Sequence, residues 1–237
     1  LKNKASTTLK PINYLRILAA LYCIWLILTG TSKEHYLLWN LFLAWIPLEL
    51  SILIDKLIHR NKTKYKLCFI IILGVLWLLF YPNAPYMVTD FIHLSNNKYS
   101  IINPNYTPHS GLPRMVFNDS YKVWFDLINI TLGVCLAWIS GFFSLHIHQK
   151  NITRKYGNFS AWIFVIIINL LGGFAIYLGR FIRWNSWDVI VNPQNIIAIL
   201  IKDLNFKSLY FTFMFGIFYF TLYAISYIAL QFKSIEN

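Results

Sequence analysis

Two polar stretches hold most of the side chains that could do chemistry. The first is Tyr81-Pro82-Asn83-Ala84-Pro85-Tyr86-Met87-Val88-Thr89-Asp90-Phe91-Ile92-His93-Leu94. Asp90 and His93 stand three apart, which makes them neighbours on a helix. A carboxylate beside an imidazole can hold one ring tautomer, as a general base requires. Asp90 and His93 are therefore the candidate catalytic pair. The same residues also suit a plainer role, with Thr89 and Asp90 capping a helix and His93 turned to water. Helical spacing places Met87, Val88, Phe91 and Ile92 on one face and Thr89, Asp90 and His93 on the other. That is the pattern of an amphipathic segment lying in a membrane interface.

The second stretch is Gly179-Arg180-Phe181-Ile182-Arg183-Trp184-Asn185-Ser186-Trp187-Asp188. A helix continued through Asp188 would put Arg180, Arg183, Trp184 and Trp187 on one face, with Asp188 at its edge. Two guanidinium forks suit a phosphate or carboxylate, and flanking indoles supply a stacking wall. The candidate ligand-binding set is Arg180, Arg183, Trp187 and Asp188, with Asn83 and Asn185 as polar contacts. The ligand expected is an anionic or lipid-linked group. Arg and Trp are also ordinary interface anchors, and Arg180 with Asp188 would make a sound structural pair.

The elements that must position these residues are apolar. The chain has 237 residues, 57% hydrophobic, 18% aromatic and 13% charged. A soluble domain carries about 25% charged residues, so lipid is the expected main solvent. A membrane helix needs about 20 mostly apolar residues. Runs meeting that need predict spans at about 12–30, 36–58, 67–81, 123–145, 159–180 and 209–231. The predicted fold is all-α, a single polytopic bundle of about six transmembrane helices over 1–237, with short interfacial helices in the outer loops. The first run also has the length of a signal peptide, but a retained helix gives an even count that places the charges sensibly. Span three should stop near Tyr81, because Pro82 and Pro85 follow in quick succession.

Orientation follows from the basic residues. With the N-terminus inside, thirteen of the 21 Lys and Arg fall on the inner side, where the loops are also shorter, and eight on the outer. This bias predicts both termini in the cytoplasm. Both polar stretches follow odd-numbered spans, so both should lie at the outer face. Asp126 is expected to join Asp90, Asp188, Arg180 and Arg183 there. Gly133, Ala137 and Gly141 are spaced four apart, as are Ala175 and Gly179, a spacing that lets membrane helices approach closely.

Glu49 sits within span two, beside Pro47. It is a candidate intramembrane proton or cation relay. Its plainer role is a pair with Lys56 or an Arg near the inner surface. His146 and His148 diverge on a helix, which argues against a shared metal. Cys23, Cys68 and Cys135 lie within apolar runs without ligand spacing and read as buried free thiols. No metal and no cofactor is expected. The net charge of +12 comes from short clusters between apolar runs. Membrane lipids, not nucleic acid, are therefore the expected partners.

Three motifs together, Asn40-Leu-Phe-Leu-Ala-Trp-Ile-Pro47, Tyr81 through Leu94, and Gly179 through Asp188, resemble a family of uncharacterised bacterial multi-pass membrane proteins. The resemblance covers most of the chain. It implies a bacterial inner-membrane protein and brings no activity with it. Three functions therefore remain open. One is an outer-face site, binding or catalytic. Another is a small transporter or channel subunit with Glu49 and Asn169 lining a path, and with Pro47 and Gly172-Gly173 breaking helices at depth. The last is a non-catalytic assembly or scaffold protein.

Overall fold

The computed structural model describes residues 2–30, 34–60, 65–184, 186, 188–191, 194 and 204–235. Helices dominate. α1 is Lys2–Thr29, α2 His35–His59 and α3 Lys66–Phe80. A single turn, α4 (Asn83–Tyr86), leads into a 3-10 helix at Met87–Asn96. Helix α5 (Tyr121–Tyr177) passes into a π turn at Leu178–Ile182. Then come the short α6 (Asp188–Val191) and α7 (Phe206–Ile235). Among the described residues, the one departure from all-α character is a small hairpin, β1 (Ser100–Ile102) and β2 (Met115–Phe117). It pairs antiparallel with Ile101 opposite Val116.

Among the described residues, five helices are long and apolar enough to cross a membrane. α5 has 57 residues, roughly 85 Å if straight, against a hydrocarbon core of about 30 Å. It is not straight. Gly157 has φ 86° and ψ 169°, outside helical space, and only glycine adopts that conformation freely. The chain folds back there into two arms. Val165 of the second arm is buried in one cluster with Phe142 and Leu145 of the first, and with Tyr223 of α7. The two arms, one on each side of Gly157, therefore cover the two predicted runs at 123–145 and 159–180.

The lipid-like surface is clearest on α3, where Trp77 is the only buried residue. Leu67 is 70% exposed and Ile71 56%. Water would penalise such a face by about 25 cal/mol per Å²; hydrocarbon does not. The three cysteines are free, but Cys68 and Cys135 sit on the exposed surface, not in the core.

Polar bonds and small residues lock the helices inside. Tyr22 Oη donates to the Asn129 carbonyl at 2.8 Å, and Trp25 Nε1 to Asn129 Oδ1 at 2.9 Å, tying α1 to α5. Ser51 Oγ lies 2.8 Å from Ser144 Oγ and 3.0 Å from His148 Nε2, and Trp77 Nε1 donates to Ser144 Oγ at 2.8 Å. That knot joins α2, α3 and α5. His146 instead approaches Gln149. The small-residue stripe is used as its spacing suggests: Gly133 faces Tyr22 and Gly141 faces Ala84. Gly172 and Gly173 do not break their helix. A Cβ on Gly173 would stand 2.8 Å from the Gly216 amide nitrogen of α7, so glycine serves close packing there. α2 likewise runs through Pro47 without interruption.

Candidate functional site

The site forms where α3 is forced to stop. Pro82 and Pro85 have no N–H to donate, so carbonyls at the end of α3 lose their helical partners. The Ala84 N–H donates to the Tyr81 carbonyl in place of Pro85, at 3.2 Å, and Asn83 Nδ2 donates to the Phe80 carbonyl that Ala84 would otherwise serve, at 2.9 Å. From the far side of the bundle, Tyr219 Oη of α7 donates to the Pro85 carbonyl at 2.7 Å. The Pro-Asn-Ala-Pro turn is thus held from both sides, with Ala84 and Pro85 buried.

The second motif arrives on the second arm of α5. Gly179 lets the chain pass Tyr86 closely: a Cβ there would stand 3.1 Å from the Tyr86 ring. The helix does not continue through Asp188 as the spacing suggested. It widens into the π turn and ends at Arg183, which has left-handed geometry, φ 60° and ψ 38°. The N–H groups of Arg183 and Trp184 both donate to the Leu178 carbonyl. A non-glycine residue in that conformation costs about 1–2 kcal/mol. Strain of this kind, like a π turn, clusters at functional sites.

The two turns and α2 enclose a cavity of about 320 Å³, within the range of small-ligand sites. Trp39, Asn40 and Leu43 line it from α2, Asn83 and Tyr86 from α4, and Gly179, Trp184 and Ser186 from the second motif. Asn83 Nδ2 also donates to Ser186 Oγ at 3.1 Å, joining motifs 103 residues apart. Residues from all three motifs therefore face one space.

The candidate catalytic and anion-binding residues lie around this cavity, not in its lining. Asp90 is 1% exposed and accepts a hydrogen bond from Asn40 Nδ2 at 2.9 Å. It sits behind a lining residue. Because the segment is a 3-10 helix, side chains three apart eclipse. Met87 and Asp90 therefore share the buried stripe, while Phe91 and Ile92 are exposed. The two faces expected from α-helical spacing do not form. His93 and Arg180 lie within electrostatic reach of Asp90, but neither bonds to it. His93 is exposed and packs on Tyr36, ring centres 4.7 Å apart. Arg180 is half-buried and Arg183 exposed. Asp188 opens α6 and is half-buried. Asn185 and Trp187 lie outside the described residues.

A second cavity, of about 300 Å³, has charged walls and is lined among others by Glu34, His93, Asn97, Lys122, Asp126 and Asn129. Lys122 Nζ bridges Glu34 Oε1 at 2.8 Å and Asp126 Oδ1 at 3.3 Å, and Asn97 Nδ2 donates to Asp126 Oδ2 at 3.0 Å. Asp126 therefore joins this network and not the arginines. Glu34 and Lys122 carried no sequence signal, since each looks like an ordinary loop charge.

Glu49 lies away from both cavities. Arg16 grips it with two bonds, Nε to Oε1 at 3.0 Å and Nη2 to Oε2 at 2.7 Å, and Trp45 Nε1 adds a third at 3.1 Å. This is the plainer role, with Arg16 as the partner and not Lys56. Asn169 is buried, its Nδ2 donating to the Val165 carbonyl within its own helix. Glu49 lines a largely apolar groove between α1 and α2. Among the described residues, no three His, Cys, Asp or Glu side chains gather as metal ligands would.

Apolar helices with lipid-like surfaces, locked by internal polar bonds, make this a multi-pass helical integral membrane protein. The family described as "Protein of unknown function (DUF1361)" matches residues 39–222. The chain belongs to that family. No curated protein and no solved structure matches it.

Proposed function

We propose that this protein binds an anionic or lipid-linked group at the outer face of the bacterial cytoplasmic membrane. It would cross six times, with both termini in the cytoplasm. The observation that carries this reading is the single cavity lined by Asn40, Asn83 and Ser186 together, one residue from each motif. Its size, its apolar walls and its few convergent polar groups suit a small ligand. Asn83 and Ser186 supply neutral hydrogen bonds, while Trp39, Tyr86 and Trp184 supply the wall.

Arg180 and Arg183 are next in sequence to the lining residues Gly179 and Trp184. In this reading they meet the ligand's negative charge, and the left-handed turn at Arg183 is kept for that purpose. Asp90 acts on the site through Asn40, fixing the amide's orientation. Its burial favours a positioning role over direct proton transfer. His93 remains the candidate base for a ligand reaching the second cavity. Asp188, in the same motif, adds a further polar group for the ligand. The basic residues gathered at the Gly157 end support the cytoplasmic assignment of that end.

The test is native mass spectrometry of the full chain with a short polyprenyl phosphate or inorganic phosphate added. Retention of the polyprenyl phosphate, weakened at least tenfold by Asn83→Ala with Ser186→Ala, would support a lipid-linked ligand. Retention of inorganic phosphate with the same loss would support a free anion. Binding of both probes unchanged in that variant, or absent from the wild type, would overturn the site.

A further inference from the structure

We propose a second binding site, for an anionic phospholipid, in the groove at the opposite end of the bundle. The groove is about 760 Å³ and runs between α3, the end of α2 and both arms of α5. Ile70, Trp77, Leu78, Phe164 and Ile168 give it an apolar wall. Gly74 lies in that wall, and a Cβ built there meets nothing within 4 Å. This is open space of the kind an acyl chain fills.

The charges sit at one end only. Lys66, Arg154 and Lys155 line the groove where α2 meets α3 and α5 turns at Gly157. Lys66 Nζ is committed to the Ile58 and Arg60 carbonyls at 2.9 and 2.7 Å. Arg154 and Lys155 are not. Arg154 Nη1 lies 3.0 Å from His59 Nε2, and Lys155 Nζ lies 4.7 Å above the Tyr156 ring. No carboxylate pairs with either among the described residues. Asp55, the acid at this end, instead accepts from Asn151 Nδ2 at 2.9 Å and faces His59 Nδ1 at 3.5 Å.

Two cations without a counter-ion at the mouth of an apolar groove match a phosphodiester headgroup on an acyl chain. A zwitterionic phospholipid brings its own ammonium beside the phosphate and so offsets less of their charge. A docked apolar helix would leave them unpaired, so charge complementarity selects the anionic lipid. Its phosphate would bond Arg154 and Lys155, with one chain lying past Gly74 toward Trp77. The groove shares Leu78 with the first cavity but none of its polar residues, and its charges are its own, so it stands or falls separately.

The test is native mass spectrometry of the full chain titrated with phosphatidylglycerol or phosphatidylcholine of matched chains. Phosphatidylglycerol should bind at least tenfold more tightly. Arg154→Gln with Lys155→Gln should weaken it about 25-fold, taking about fivefold for each surface cation. Gly74→Leu keeps every charge and fills the groove, so it should weaken binding at least tenfold while the protein still accumulates. Equal affinity for both lipids would overturn the proposal, and so would a Gly74→Leu protein that binds phosphatidylglycerol as the wild type does. A dimer abolished by Gly74→Leu would assign the groove to a second copy of the chain and overturn it as well.

Discussion

Asn40 Nδ2 donates to Asp90 Oδ2 at 2.9 Å, fixing a residue of α2 to the 3-10 segment 50 positions later. Asp90 is buried and Asn40 lines the cavity between the three motifs, so the carboxylate shapes a site that it does not line. Asp90→Ala leaves the Asn40 amide without its partner, at a cost of about 1–3 kcal/mol. Asp90→Asn keeps an oxygen for Asn40 and should be close to wild type in thermal unfolding. If the two variants unfold at the same temperature, the bond contributes nothing to stability.

Arg183 holds a conformation that suits glycine better. Arg183→Gly should raise stability by about 1–2 kcal/mol by relieving the left-handed strain. It should also remove anion binding, because the guanidinium is gone. A gain in melting temperature with loss of polyprenyl phosphate retention is the expected pair of results. Loss of both stability and binding would make Arg183 a structural residue.

Arg16 and Glu49 form the two-bond bridge between α1 and α2. Contacting charges typically couple by about 0.5–3 kcal/mol. Arg16→Gln and Glu49→Gln should each destabilise the protein in detergent, and the double variant should lose less than the two single losses combined. Strict additivity would mean that the pair is not formed.

Two glycines make opposite demands on a methyl group. Gly173→Ala forces a Cβ against the α7 backbone at Gly216, and overpacking of this kind costs about 1–3 kcal/mol. Gly74→Ala meets open space and should gain about 1 kcal/mol from helix propensity. Thermal unfolding of the two variants should shift in opposite directions. A shift in the same direction would count against the packing of α5 on α7.

A reporter fused at Asn103, in the hairpin loop, should read as outside, and one at Asn237 as cytoplasmic. Both reading the same side would remove the proposed topology. The hairpin itself was not legible, because Ser100–Ile102 and Met115–Phe117 are three residues each and too short to carry an alternating pattern.

The amino-acid sequence by itself determined the solvent and the rods. Long charge-free runs leave lipid as the only comfortable surroundings for α1, α2, α3, α5 and α7, and Pro82 and Pro85 end α3 wherever the rest of the chain goes. These properties depend on neighbours within a few residues, so a one-dimensional reading finds them. Tertiary structure alone decided which polar groups meet. Glu49 took Arg16, and Glu34 took Lys122. Asp90 took Asn40 and not His93, because α2 packs over the buried carboxylate while His93 stays at the surface. Asn83 reached Ser186 across 103 residues. Each partner was chosen by how helices pack in space, and a buried polar group bonds to whichever partner packing brings near, a distance that spacing along the chain does not encode.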